Sequence, residues 1–132
     1  MKCQTQFSKK GCEFCGLKAD NVIAEEKLAF AIYDKFPVTP LHILIIPKRH
    51  ISSFFDLDQS EVRDILKLLA ILRADISRCD PRVEGFNVGV NVGKVAGQTI
   101  YHCHVHLIPR RRGDVENPRG GVRGVIPRKQ SY

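Results

Sequence analysis

The sequence predicts a small α+β domain in which an antiparallel sheet carries one long helix on one face. Short segments with strand patterns, a single segment with helical periodicity and the length of one ordinary domain point to this class. The chain has 132 residues, of which 43% are hydrophobic and 27% are charged. This composition excludes a disordered chain and a fibrous repeat.

Strand patterns occur in four segments. Val22–Asp34 mixes β-branched and aromatic residues around a charged centre, which predicts a β-hairpin. His42–Ile46 predicts a strand, and Gly85–Val92 and Thr99–Ile108 alternate in polarity as half-buried strands do. We expect the first and last of these three strands to end at the prolines that follow them, because proline cannot donate to a strand ladder.

A single helix is predicted between the second and third strand segments. Asp58 and Glu61 have the spacing of a capping box, and Pro81 lies just beyond the expected end. Apolar residues then recur at three- and four-residue steps over about five turns. The predicted buried face consists of Val62, Ile65, Leu66, Leu69, Leu72, Ile76 and Cys79.

Most of the net charge of +7 lies near the C-terminus, since residues 110–132 hold seven basic and two acidic residues. We therefore divide the chain into a domain over residues 1–112 and a basic tail rich in Gly, Pro and Arg over residues 113–132. A basic tail attracts anions. Nucleic acid, polyphosphate nucleotides, a membrane surface and a purely solvating role all fit this charge.

Targeting and cysteine patterns predict a cytoplasmic protein. No apolar run approaches the roughly 20 residues that a bilayer requires, and the polar N-terminus lacks a signal-peptide core. The chain has five cysteines, an odd number that argues against a disulfide scaffold. Cys12 and Cys15 form a knuckle with the spacing of half a metal site, whereas Cys3, Cys79 and Cys103 stand alone.

The strongest functional signal is a row of three histidines, His102, His104 and His106. Successive side chains of a strand point to opposite faces, so the three imidazoles are expected to share one face. The residues that alternate with them, which are expected to face the core, are Cys103, Val105 and Leu107.

Two chemistries use such a row. A metal site is the first, but the outer imidazoles are about 13 Å apart in a strand, so all three cannot ligate one ion. Nucleophilic catalysis is the second, in which a neutral imidazole attacks an electrophile and its neighbours stabilise an oxyanion. No Asp or Glu occurs between Gly85 and Gly113, which favours the second chemistry because carboxylates repel phosphate.

The row belongs to a longer pattern. Asp34–His42, Pro47–His50, Asn91 and Ala96–Thr99 precede His102–Ile108 in an order that resembles the histidine triad (HIT) family of nucleotide hydrolases and transferases. The resemblance implies a HIT-like fold with a five-stranded antiparallel sheet and one long helix. It also implies a homodimer whose two sheets join into one, with a nucleotide site in each subunit.

The resemblance assigns roles to individual residues. His104 would attack the α-phosphate and become a nucleotidyl-histidine, which water or another acceptor resolves. His106 would contact the phosphate and assist the leaving group. The substrate-binding residues would be Asp34 at the ribose, Asn91 beside the ribose and phosphate, and His42, Gln98 and Thr99 around the phosphates.

The resemblance also gives the cysteine knuckle a role. Many bacterial members of the family are similar in pairing such a knuckle with two histidines around a structural zinc ion. The matching ligands here are Cys12, Cys15, His50 and His102. Two thiolates and two imidazoles complete a tetrahedral site, which would tie the N-terminal segment to the triad and hold His102 beside His104.

Within the family, the C-terminal sequence resembles the bacterial dinucleoside polyphosphate hydrolases, related to the fragile-histidine-triad type. The chain has no tryptophan, unlike the phosphoramidase branch. We expect cleavage of diadenosine tetraphosphate (Ap4A)-like substrates, with distal phosphates bound by Arg110–Arg112, Arg119 and Arg123.

Three alternatives remain open at this point. The first is an adenosine phosphoramidase of the same family, and the second is a nucleotide-binding regulatory protein with weak catalysis. The third is a DNA-end enzyme resembling aprataxin, a type that normally adds a C-terminal zinc finger, for which the tail has no ligand pattern. A nucleic-acid partner is therefore not expected.

Overall fold

A computed structural model describes residues 11–132 as a five-stranded antiparallel sheet with one long helix. The predicted α+β class, with five antiparallel strands and one long helix, is confirmed. Cys3 and the rest of residues 1–10 lie outside the described residues. The strand order is β1-β2-β3-β5-β4. The elements are β1 (Ala24–Glu25), β2 (Ala29–Tyr33), β3 (Ile43–Pro47), α1 (Gln59–Cys79), β4 (Val83–Val90) and β5 (Val105–Arg111).

Helix α1 begins with the predicted capping box. The Asp58 carboxylate accepts from the Glu61 backbone N–H at 2.9 Å, and the Glu61 carboxylate accepts from the Asp58 N–H at 3.0 Å. The predicted buried face needs correction, because Leu66 is 59% exposed and Cys79 is also exposed, whereas Leu68 is buried. Since each residue turns by about 100° around the helix, Leu66 points away from the face that Leu68 shares with its buried neighbours. That face is formed by Ile65, Leu68, Leu72 and Ile76.

The two faces of the sheet are covered by different parts of the chain. Helix α1 packs on one face, which presents Ala29, Ala31, Ile43, Ile45, Val105 and Leu107. The opposite face presents Phe30, Ile32, Leu44 and Ile46, and the N-terminal knuckle covers it with Phe14, Cys15 and Leu17. The histidine row lies on this second face, because His106 pairs with Leu44 in the register of β3 and β5.

Strand β5 differs from the prediction at both ends. It begins at Val105, because Gln98–His104 is loop whose backbone finds other partners, such as Cys103 N–H donating to the Ile51 carbonyl at 2.7 Å. It also continues through Pro109 to Arg111. Pro109 lies beyond the last pair with β3, and its carbonyl accepts from Thr39 Oγ1 at 2.6 Å, so no ladder needs its missing N–H.

The basic tail folds back on itself in two 3-10 turns, Gly121–Val125 and Pro127–Lys129. The guanidinium groups of Arg119 and Arg123 both contact the Tyr132 ring, with their carbons 4.8 and 4.7 Å from the ring centre. Glycine is required at position 120, since φ is +92° there and a Cβ would overlap the carbonyl of Gln130.

Across residues 11–132, none of the helices is both long and apolar enough to cross a bilayer.

Candidate active site and metal cluster

The predicted metal ligands converge on one point. Among Cys12, Cys15, His50 and His102, the ligand atoms all lie within 4.8 Å of one another. Both sulfurs are 3.4 Å from Nδ1 of His102, and the Cys15 sulfur is 3.3 Å from Nδ1 of His50. The two Nδ1 atoms are 3.2 Å apart. The cluster joins the knuckle, the end of β3 and the loop before β5.

These distances fit a tetrahedral metal ion. Bonds of about 2.3 Å to sulfur and about 2.1 Å to nitrogen place neighbouring ligand atoms about 3.4 to 3.8 Å apart in a tetrahedral site. Nε2 of His102 lies 2.7 Å from the Pro47 carbonyl, which only accepts, so Nε2 carries the proton and Nδ1 offers a lone pair to the cluster. Burial lowers the pKa of His102 to about 4, which keeps this ring neutral as a ligand.

A buried ion pair supports the same cluster from the helix. Glu61 is almost fully buried, and its two oxygens accept from Arg49 at 2.6 and 3.1 Å. Arg49 precedes the ligand His50, so the pair ties the loop after β3 to the first turn of α1. The pairing is bidentate, which fixes orientation as well as distance.

The protonation of His104 is set by a backbone carbonyl. Its Nδ1 lies 2.9 Å from the carbonyl oxygen of His102, so Nδ1 is the donor and Nε2 has the lone pair. The edge of the Phe14 ring packs against His104, with ring centres 5.1 Å apart. His104 is thus oriented from two sides and retains one nucleophilic nitrogen.

A chain of hydrogen bonds sets the protonation of His106 in the opposite sense. The Val38 backbone N–H donates to Nδ1 of His42 at 3.1 Å, so His42 carries its proton on Nε2. That Nε2 lies 2.9 Å from Nδ1 of His106, which must therefore accept, leaving the proton of His106 on its own Nε2. The Asp34 carboxylate lies 3.5 Å from Nε2 of His42. His106 is therefore a hydrogen-bond donor, whereas its neighbour His104 offers a lone pair.

Burial favours the neutral form of both His106 and His42. Burial lowers the pKa of His106 to about 4, the nearby His104 and His42 lower it further, and the Asp34 carboxylate raises it. Burial likewise lowers the pKa of His42, and Asp34 partly offsets it. Asp34, His42 and His106 lie close enough to hold a metal ion, but the hydrogen bonds of the two imidazoles to each other already occupy Nε2 of His42 and Nδ1 of His106.

A cleft of about 310 Å³ opens in front of His104 and His106. One part of its wall is apolar and comprises Phe14, Leu17, Ile32, Leu44 and Ile100. The polar part includes three of the predicted substrate-binding residues, Asp34, Asn91 and Thr99. An apolar wall beside a few convergent polar groups suits a ligand with a flat ring at one end and polar oxygens at the other.

Two predicted substrate-binding residues lie away from this cleft wall. Gln98 is buried, and its amide bonds backbone groups on three sides, accepting from Gly93 N–H and donating to the carbonyls of Ser52 and Ile100. His42 lies behind His106. Gln98 therefore holds the loops beside the cleft, and His42 holds the His106 ring. Contact of either residue with phosphate remains a prediction.

The predicted phosphate-binding arginines have partners within the chain. Both oxygens of Asp114 accept from Arg110 at 2.8 Å, and this contact holds the pKa of Asp114 well below its usual range. Arg112 lies 3.3 Å from Glu84. The expectation for Arg111 is corrected, because it is paired with Asp80 at the end of α1 and lies on the helix-bearing face of the sheet.

Sequence reasoning missed the residues that give the cleft its apolar wall and its mouth. Phe14 is the most consequential, since its ring contacts both His102 and His104. Its position between the two cysteines that are predicted metal ligands was the available signal. At the mouth, Lys35 lies 3.5 Å from Glu13, and Phe36 is exposed.

Comparison with known proteins places this geometry in a family. The HIT domain model matches residues 17–113. A bis(5'-adenosyl)-triphosphatase of Dictyostelium discoideum is 34% identical over 101 residues, covering 76% of this chain and 67% of that protein. An adenosine 5'-monophosphoramidase of Candida albicans is 32% identical over 112 residues, covering 79% and 73%.

Solved structures agree with the sequence comparisons. A crystal structure of a HIT family protein from Bacillus anthracis is similar with a TM-score of 0.66 and 33% identity, covering 71% of this chain and 66% of that one. The domain match spans most of the chain and includes the whole histidine row. The chain belongs to the histidine triad family.

Proposed function

We propose that the protein is a nucleotide hydrolase or nucleotidyl transferase that cleaves dinucleoside polyphosphates at the α-phosphate through a covalent nucleotidyl-histidine. The opposite protonation of His104 and His106 carries this proposal. Backbone groups leave a lone pair on Nε2 of His104 and a proton on Nε2 of His106. A nucleophile beside a neutral hydrogen-bond donor suits attack on phosphorus with stabilisation of the departing oxygen.

The reaction has two displacements. In the first, Nε2 of His104 forms a bond to the α-phosphorus while the bond to the polyphosphate oxygen breaks and its electron pair stays on that oxygen. In the second, water attacks the phosphorus and loses one proton to solvent, the nitrogen–phosphorus bond breaks and its electron pair returns to His104. The products are a nucleoside monophosphate and the remaining nucleotide, and another acceptor in place of water makes the reaction a transfer. His106 donates to the departing oxygen in the first step and to a phosphoryl oxygen in the second.

The donor nucleotide is assigned to the 310 Å³ cleft. Its apolar wall fits a nucleobase, and the Asp34 carboxylate is placed to accept from ribose hydroxyls. Asn91 and Thr99 supply polar groups between the base and the histidines. The similarity to a bis(5'-adenosyl)-triphosphatase supports adenine dinucleotides as the substrate class.

The mechanism is tested by trapping the adduct. The purified protein is mixed briefly with Ap4A, quenched at neutral pH and analysed by mass spectrometry. We expect an acid-labile adenylyl group on His104 in the native protein and none in His104→Ala. An unmodified His104 in a protein that still hydrolyses Ap4A would contradict the covalent mechanism.

Hydrolysis of adenosine phosphoramidates is a second candidate, because a Candida albicans relative carries that activity in its name. The first displacement is the same, with an amine as the leaving group. The ratio of kcat/KM for Ap4A to that for adenosine 5'-phosphoramidate separates the two candidates. A ratio above one supports the dinucleotide hydrolase and a ratio below one the phosphoramidase.

We further propose that zinc occupies the four-residue cluster. The donor set of two sulfurs and two imidazoles fits zinc, which would cross-link the knuckle to the loop before β5 without entering the reaction. Elemental analysis of protein purified without a metal-binding tag should give about one zinc per chain. The Cys12→Ser/Cys15→Ser variant is the matched control and should bind little or none.

The homodimer is a proposal that rests on the free edge of the sheet. Strand β4 is eight residues long and lies at that edge, and its Val88 is 48% exposed on the helix-bearing face. Long free edges pair readily with a second copy. Light scattering should give twice the chain mass, and Val88→Lys should shift the mass toward that of one chain.

A further inference from the structure

A second, larger cavity adjoins the cleft and involves the C-terminal tail. It measures about 710 Å³ and lies over β4 and β5 on the face that carries the histidines. Its inner wall is the sheet and its outer wall is formed by residues 114–130. His106 and Asn91 line both this cavity and the cleft, whereas His104 lines only the cleft. The two spaces therefore meet beside the donor His106.

The outer wall of the cavity, residues 114–130, is held in place by specific contacts. The Tyr132 ring contacts two arginines, and Gly120 and Gly124 allow Gln130 to approach within distances that a Cβ would block. Gly121 packs near the Asn87 side chain of β4. The tail is thus fixed over the sheet by its own contacts.

The cavity is mainly apolar with one neutralised charge pair. Val122 and Val125 line it and are largely exposed, as is Val38 from the loop before β3. Exposed apolar side chains grouped around one space mark a binding surface. The charged groups that line it are Arg110 and Asp114, which form a bidentate pair.

The geometry of an in-line displacement indicates which part of the substrate this cavity binds. The leaving oxygen departs on the side of phosphorus opposite the nucleophile. With the donor nucleotide in the cleft and His104 as nucleophile, the leaving group moves past His106, where the second cavity opens. The volume and apolar lining of that cavity suit a nucleoside rather than a small amine.

We propose that the C-terminal tail and the face of β4 and β5 form the site for the leaving nucleoside of the dinucleoside polyphosphate, which makes the tail a specificity-determining segment. This inference rests on the proposed function. The nucleoside lies against the valines of the tail, and the polyphosphate passes the shared residues His106 and Asn91 on its way from the cleft.

The test compares two substrates that share the adenylyl donor but differ in leaving group. Ap4A releases ATP, and adenosine 5'-phosphoramidate releases ammonia. Val122→Trp and Val125→Trp fill the cavity at exposed positions that tolerate a larger side chain. Each variant should lower kcat/KM for Ap4A about tenfold and change that for the phosphoramidate less than about twofold. Leu66→Trp, exposed on α1, is the matched control and should change neither.

A binding measurement gives a readout independent of turnover. In a His104→Ala background, Val122→Trp should weaken binding of Ap4A about tenfold and leave binding of AMP unchanged. Equal losses for both ligands, or no loss for either, would overturn the proposal. A native protein that turns over neither substrate would instead refute the proposed function, and the leaving-group site with it.

Discussion

Two groups of histidines on the same face of the sheet differ in how their nitrogens are used. In the metal cluster, Nδ1 of His50 and Nδ1 of His102 point at each other and at two sulfurs. In the active-site group, Nε2 of His42 donates to Nδ1 of His106, so donor and acceptor alternate. Converging lone pairs suit a cation, whereas an alternating chain of donors and acceptors needs none. The hydrogen-bond partners of His42, His102, His104 and His106, rather than their residue type, decide what their free nitrogens can do.

The largest expected effects are a loss of turnover from the active-site group and a loss of metal and stability from the metal cluster. His104→Asn should lower kcat by about 10³-fold or more, because the nucleophile is gone, and should shift Tm little. His102→Asn should release the metal and lower Tm by more than about 10 °C, because metal-binding energy stabilises the fold. Turnover, elemental analysis and calorimetry of both variants check this. Loss of metal from His104→Asn would contradict the division.

Phe14 connects the two groups, since its ring packs against both His102 and His104. Phe14→Ala should lower the free energy of unfolding by about 3 kcal/mol, as truncation of a buried aromatic does. Phe14→Leu keeps most of the apolar volume and should instead lower kcat, with metal content unchanged. Denaturant unfolding and steady-state kinetics measure the two effects. An unchanged kcat in Phe14→Leu would show that the ring does not position His104.

The ion pair beside the metal cluster gives the next effect. Glu61→Gln should lower the free energy of unfolding by about 2 kcal/mol, because Arg49 loses its buried ionic partner. Glu13→Gln is the matched control, since Glu13 pairs with Lys35 at an exposed site where such pairs contribute little. In urea titrations, the free energy of unfolding should fall in Glu61→Gln and stay unchanged in Glu13→Gln. Equal losses would show that burial does not strengthen the Arg49–Glu61 pair.

The smallest expected effect is a pH dependence of the active-site group. Because the pKa of His106 falls to about 4 in the folded chain from an ordinary value of about 6.5, the unfolded chain binds more protons between these values. The contribution of His106 to the free energy of unfolding is therefore full above pH 6.5. It falls by about 1 to 2 kcal/mol as the pH falls toward 4, after allowance for partial exposure. The native protein and His106→Asn share the acid-sensitive metal cluster, so the difference between them reports on His106. Unfolding titrations should show that the free energy of unfolding falls less steeply with decreasing pH in His106→Asn than in the native protein. Parallel curves would contradict the lowered pKa.

Local patterns were enough to predict much of the fold. The capping box of Asp58 and Glu61 and the hairpin depend on neighbours within a few residues, and the structure confirms them. The three imidazoles of the histidine row follow one another through ring contacts on one side, although only His106 lies in a strand. The HIT resemblance added the four candidate metal ligands, which the fold brings within 4.8 Å. Periodicity alone mistook Leu66 for a buried residue, because two overlapping series of apolar residues satisfy the same spacing.

The sequence by itself determined the fold class, the single helix and the row of alternating imidazoles, because these follow from short-range stereochemistry and periodicity. Only the tertiary structure decided which nitrogen of His42, His102, His104 and His106 holds its proton. Pro47 meets His102, and His42 meets His106, across long stretches of chain. The local bonds from Val38 to His42 and from His104 to the His102 carbonyl depend on loop conformations that the packing fixes. The tertiary structure also turned Arg111 away from the cleft and folded the tail over the sheet. Contacts between residues far apart in the chain leave no periodic trace in the sequence, and those contacts set the chemistry of the site.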